Sequence, residues 1–195
     1  MTPFPATRCL PAASLALSFL FLGCAVPPPS RTPAPSPSRM APKREVSPGG
    51  FLFRPIGVIH SPYTPEKGAP RQGRFKPDVP ATIEIFPEYE KGLSDLEAFS
   101  HVWVIYAFDR VKRWSPETPT PWDRKTRGVF ATRSPRRPNP VGLTVVRLVR
   151  RDGRILHIQG IDAFDGTPVL DIKPYIPRLD VVRRASPGWL KKKGL

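Results

Sequence analysis

Cysteine is confined to Cys9 and Cys24, so nothing beyond position 24 can supply a disulfide, a thiolate metal ligand or a cysteine nucleophile. Histidine is nearly as scarce: His60, His101 and His157 are the imidazoles of the chain, and none are spaced as in a zinc motif. A metal enzyme is therefore not expected. No G-x-G-x-x-G follows a strand-like run, which leaves a doubly wound nucleotide site unsupported, and there are no internal repeats. Acidic residues are few, 16 Asp and Glu against 31 Lys and Arg in 195 residues, for a formal charge of +15 and a pI near 10.6. So basic a chain implies a polyanionic partner or an anionic membrane surface.

The apolar run from Ala12 to Leu22 is too short for a comfortable transmembrane helix. It follows Arg8 and ends in Gly23-Cys24, the layout of a secretory signal. Leu22-Gly23-Cys24 resembles a bacterial lipobox, in which the cysteine is lipidated and becomes the new N-terminus. Residues 25–50 are rich in Pro, Ser, Ala and Arg and read as an extended linker unable to bury a core. Two readings compete for this leader: a signal at 1–24 with a stalk, placing the protein on a membrane through Cys24, or an untranslated stretch upstream of a true start at Met40. A start at Met40 removes Arg8, Arg31 and Arg39 and no acid, so the basic character belongs to the folded part either way.

From Phe51 the pattern is that of short strands. Ile56 to Ser61 is one, stopped by Pro62, and Ala81 to Phe86 alternates with period two. Tyr89 to Phe99 has room for a helical turn or two, with Ser94 as N-cap and Glu97 as its capping-box partner. Ser100 to Phe108 is apolar, β-branched or aromatic almost throughout and is expected to be a central strand buried on both faces. Trp114 to Lys125 reads as a long exposed loop. Leu143–Val149 and Ile155–Ile161 flank Asp152-Gly153, a strong hairpin signal. A turn at 161–168 and a last strand, Val169–Lys173, complete a domain spanning 51–181, with a basic tail at 182–195. The expected fold is mostly β, a small closed β-barrel of short strands with proline-rich loops and little helix.

Among these elements the segment RGVFATRSPRRPNPVG, Arg127 to Gly142, is singular. Pro135, Pro138 and Pro140 lack amide hydrogens and have restricted φ, so the segment must be a stiff loop. Arginines on a stiff loop suit capture of a carboxylate or phosphate, although a solvated basic turn has the same composition. Three more polar clusters lie at strand ends or turns: Pro70-Arg71-Gln72, Asp109-Arg110, and Asp162 to Asp165. A barrel that gathers them would have a pocket with cationic and anionic walls.

The motifs IGVIHSPY (56–63), PRQ (70–72), GLSDLEAFSHVWVIYAF (92–108), RGVFATRSPRRPNPVGL (127–143) and DGTPVLDIKPYIP (165–177) resemble, in content and order, the TsaA-like/TrmO family of tRNA methyltransferases. The resemblance implies a β-barrel that uses S-adenosyl-L-methionine to methylate threonylcarbamoyladenosine beside the tRNA anticodon, as a homodimer, in the cytoplasm, without a metal. It carries donor contacts onto Pro70, Arg71, Gln72, Arg133, Leu143 and the turn Asp162, Ala163, Phe164, Asp165. The end of the long strand also contributes in the family, often through a histidine; here that place is held by Asp109, followed by Arg110. Candidate bases for the attacking nitrogen are Asp109, Asp162 and Asp165, and Arg136 and Arg137 are candidates for tRNA phosphates. Trp103, Tyr106 and Phe108 read first as core, and His101 as a packed core or interface residue. A non-catalytic barrel that binds the donor or RNA, held at a membrane by Cys24, is the competing reading.

Overall fold

Period-two alternation, interrupted by proline and glycine, produces strands wherever the chain can present one apolar row inward. The computed structural model describes residues 52–193; the signal-like and linker segments lie outside the described residues. Eight strands follow in order: β1 (Gly57–His60), β2 (Pro80–Ile85), β3 (His101–Ala107), β4 (Glu117–Pro119), β5 (Thr126–Gly128), β6 (Val141–Asp152), β7 (Ile155–Gln159) and β8 (Thr167–Pro174). One helical turn, α1 (Pro177–Asp180), comes after them. Six strands close into an antiparallel barrel in the order β1-β2-β7-β6-β3-β8, while β4 and β5 form a separate two-stranded ribbon. No described helix is long and apolar enough to cross a membrane.

Inward side chains fill the barrel: Ile59, Ile83, Ile85, Val102, Val104, Val146, Leu148, Leu156, Ile158 and Val169 are all buried. The hairpin expected at Asp152-Gly153 joins β6 to β7, with Gly153 at a φ of +57° that glycine adopts without strain. β6 is the longest strand because it serves two partners. Its first half pairs with β3 and its second with β7, and the register shifts between Leu148 and Arg150, where a bulge bends the strand.

Three expectations need correction. β3 is not buried on both faces: Val102, Val104 and Tyr106 point into the core, whereas His101, Trp103 and Ile105 are half-buried on the outside. A barrel of this kind has a single layer, and among the described residues no α-helix packs along the outer face of β3. The segment 89–99 forms 3₁₀ turns at Pro87–Leu93 and Leu96–Ala98. Ser94 caps neither start; its hydroxyl donates to the Lys91 carbonyl at 3.0 Å, and Asp95 opens the second turn at a φ of +64°. Finally, the stretch from Trp114 to Lys125 is not a plain loop. It contains β4, and Arg127 on β5 grips Asp123 with two hydrogen bonds of 2.7 Å.

Leu156 is fully buried and Val149 is 50% exposed. Truncating Leu156 to Ala is expected to lower stability by about 2–5 kcal/mol, through lost transfer energy and the cavity left behind. Val149→Ala should stay within about 0.5 kcal/mol, as surface changes do. Urea denaturation of the two variants measures both values.

Candidate functional site

Tyr106 and Gly142 stand opposite each other across β3 and β6. A Cβ on residue 142 would overlap the Tyr106 ring, so the bare backbone of glycine is what leaves room for that ring. The tyrosine is 3% exposed, and its hydroxyl emerges from the core to donate to Asp162 Oδ1 at 3.0 Å. Asp162 Oδ2 accepts from the Gly73 amide at 3.1 Å. The Thr144 hydroxyl adds a smaller influence in favour of the ionised carboxylate. Gly73 is as constrained as Gly142, because a Cβ there would run into the Gly160 carbonyl.

Burial pushes the Asp162 carboxyl above the usual carboxylate range, against the surrounding donors, which favour its ionised form. The Tyr106 phenol is raised far above its ordinary value, first by burial and then by the Asp162 charge, so it remains a protonated donor. Tyr63 is raised for the same two reasons, and its buried hydroxyl has no hydrogen-bond partner among the described residues.

Around this carboxylate lies a cavity of about 1100 Å³. Of the residues singled out from sequence, Pro70, Arg71, Gln72, Asp109, Arg110, Arg133, Leu143, Asp162, Ala163 and Phe164 line it, and so does Arg137. Gln72 bridges two of the clusters, since its side-chain oxygen accepts from the Arg133 guanidinium. Arg71 lies over the ring of Trp122, 5.3 Å from its centroid. Asp109 is exposed at the cavity wall.

Two arginines of the set are engaged with the fold itself. Arg110 donates to the Asp165 carbonyl at 2.6 Å and lies 5.6 Å from the Phe164 ring centroid, bracing the 162–166 turn. Arg137 donates to the carbonyls of Val129 and Thr132 at 3.1 and 2.9 Å, which staples the stiff loop. Arg136, by contrast, is exposed.

Asp165 is not brought to the cavity. It accepts from the Ser61 amide at 3.2 Å, lies 3.7 Å from His60 Nδ1 and lines a separate groove of about 540 Å³ with His157 and Arg150. Sequence reasoning treated 162–165 as one contact turn, but Gly166, at a φ of +77°, and the Arg110 brace turn Asp162 and Asp165 to different surfaces. It also missed Thr144, Gly73 and the Tyr106 hydroxyl. The one signal for them was a glycine at position 142 inside a β-branched run, where a close backbone approach is to be expected. Among the described residues, no group of three or more His, Cys, Asp or Glu side chains is placed to hold a metal ion.

Because its folded pKa is raised, Asp162 contributes fully to stability below the unfolded carboxylate value, and that contribution is lost as pH rises through the folded value. Tyr106→Phe removes a donor to the ionised form, so the Asp162 titration is expected to move still higher and the window of loss with it. The ¹³C shift of the Asp162 carboxyl followed against pH measures the change.

Comparison with known proteins bears directly on this geometry. The profile of the tRNA-methyltransferase O N-terminal domain matches residues 58–181, from the second residue of β1 to just past α1. A probable S-adenosyl-L-methionine-binding protein of Pyrococcus abyssi is 49% identical over 142 residues, 73% of this chain and 77% of that protein. A tRNA (adenine(37)-N6)-methyltransferase of Mus musculus is 39% identical over 145 residues, 71% of this chain but 34% of its own, longer chain. The crystal structure of TrmO from Pseudomonas aeruginosa superposes with a TM-score of 0.61 at 39% identity, covering 71% of this chain and 61% of that one. With barrel, motifs and profile in agreement over the same residues, this chain belongs to the tRNA-methyltransferase O family.

Proposed function

We propose that this protein is an S-adenosyl-L-methionine-dependent tRNA N-methyltransferase acting on the adenosine beside the anticodon, at the exocyclic nitrogen of its threonylcarbamoylated form. The observation that carries the reading is a single cavity lined by the Arg71 and Arg133 guanidinium groups and by the half-buried Asp162 carboxylate. These residues fit the donor group by group. A guanidinium pairs with the donor's carboxylate, Asp162 accepts from its amino group or ribose, and Phe164 and Leu143 offer apolar surface to its base. When bound, the donor would supply an activated methyl group on its sulfonium to the target nitrogen, with the carbon–sulfur electron pair leaving on sulfur.

The chain's own part is to align and to exclude water. Tyr106 and Gly73 hold Asp162 in one orientation, which removes reorganisation at the moment of transfer. The proton lost by the nitrogen needs an acceptor. Asp109, exposed at the cavity wall, is our assignment, because Asp162 is held by Tyr106 and Gly73 and given over to the donor. The proposed reaction belongs in the cytoplasm, where donor and tRNA meet.

We also propose a homodimer. Trp103, Ile105, Leu143 and Val145 make a continuous apolar row on the outside of β3 and β6, in register Trp103↔Val145 and Ile105↔Leu143. Leu143 is 56% exposed there, and because Trp103, Leu143 and Val145 also line the cavity, a second copy on this row would border the donor site. A row of this kind on a small basic protein suits burial against a second copy. Ile105→Arg is expected to convert the dimer to monomer in sedimentation velocity; a monomeric wild type would remove the proposal.

The activity is tested by transfer of labelled methyl from S-adenosyl-L-methionine to threonylcarbamoylated tRNA, with unmodified tRNA as control. Label is expected on the modified tRNA alone. Donor binding without transfer would instead support a non-catalytic barrel. Arg133→Ala is expected to weaken donor binding by roughly 10- to 100-fold, the loss of a charge-assisted hydrogen bond, with the barrel still folded.

A further inference from the structure

A second basic surface lies beside the cavity, built from two segments far apart in sequence. Phe75 packs edge-on against Trp122, with ring centroids 5.9 Å apart, and so brings the turn at 71–76 against the ribbon loop at 120–125. Basic residues crowd both segments. Arg74 and Lys76 flank Phe75, Arg124 and Lys125 follow Trp122, and all four are exposed. Asp123, the acid nearest in sequence to Trp122, is consumed by Arg127, which binds it with both arms of the guanidinium and draws its pKa well below the usual carboxylate range. Arg127 is in turn covered by Trp189, 3.8 Å from the ring centroid, so the ribbon is braced from behind.

Phe75 is 47% exposed in the middle of this positive field. A large aromatic left half in water between flexible cations is poorly explained as packing. It is the arrangement that binds unpaired nucleotides, where a π face takes a base and surrounding Lys and Arg take phosphates. We propose that Phe75, with Arg74, Lys76, Arg124 and Lys125, forms a docking surface for single-stranded RNA, engaging an unpaired base of the tRNA loop and its neighbouring phosphates. The partner rests on the function proposed above. Arg71 links the two sites: it lines the cavity and lies over Trp122, so a base held at Phe75 lies within a few residues of the donor pocket.

The test uses the full chain with threonylcarbamoylated tRNA, comparing wild type with Phe75→Ala, Phe75→Tyr and the double change Arg124→Gln/Lys125→Gln. Phe75→Ala is expected to weaken tRNA binding on the order of tenfold, and Phe75→Tyr to restore it, because stacking needs only a ring. The double charge change should flatten the dependence of log Kd on log salt by roughly 0.7 per phosphate contact removed. Donor affinity, measured by calorimetry, should be unchanged in all three. Unaltered tRNA affinity and salt slope in the variants would overturn the docking surface. So would an equal loss of donor binding, which would make the pair a support of the pocket. A wild type that binds donor but no tRNA would instead overturn the function on which the proposal rests. Retained tRNA binding by Phe75→Ala with lost binding to anionic vesicles would assign the surface to a membrane.

Discussion

The contact between Tyr106 and Gly142 joins the barrel to its chemistry. One ring serves two masters: its face packs in the apolar interior across a strand pair, and its hydroxyl emerges to hold Asp162. Core packing at near-crystalline density leaves such a ring little choice of position. The carboxylate therefore inherits the rigidity of the sheet rather than the looseness of the loop that carries it. Gly73 adds the same kind of constraint from the opposite side, with its amide on the other oxygen and its backbone against Gly160.

Around that rigid carboxylate the cations are divided by role. Arg110, Arg127 and Arg137 spend their donors on backbone carbonyls or on Asp123, and so turn proline-rich connections into ordered walls. Arg71, Arg133, Arg136 and the cations beside Phe75 are turned to the cavity or to solvent. A high formal charge thus supports two different tasks, and sequence does not distinguish them. The bidentate geometry of guanidinium suits it to both.

Much of the scaffold was legible in the chain. The Asp-Gly turn named its hairpin, period-two runs named β2 and β7, and prolines marked where strands could not continue. Legibility ended where a residue's meaning depends on what closes against it. The apolar run of β3 reads as a doubly covered strand until the barrel leaves its outer face open. Asp162 and Asp165 look equivalent until one brace and one positive φ send them to different surfaces. Tyr106 reads as core, correctly, but its second role needs the register that pairs it with glycine. Local chemistry predicts elements, while registers and closures are decided by the whole chain.

Closure also has a consequence for how the protein comes into being. Of the described strands β8 is the last in chain order, yet it lies between β1 and β3, bonded to both. Until it arrives, the nascent sheet has two raw edges, each able to recruit a foreign strand. Contacts so distant along the chain are slow to form, because loop-closure entropy is spent before any pairing is gained. The barrel therefore closes only once this late strand is in place. In a chain with 31 Lys and Arg against 16 Asp and Glu, that interval leaves a half-built, strongly cationic sheet open to any polyanion it meets.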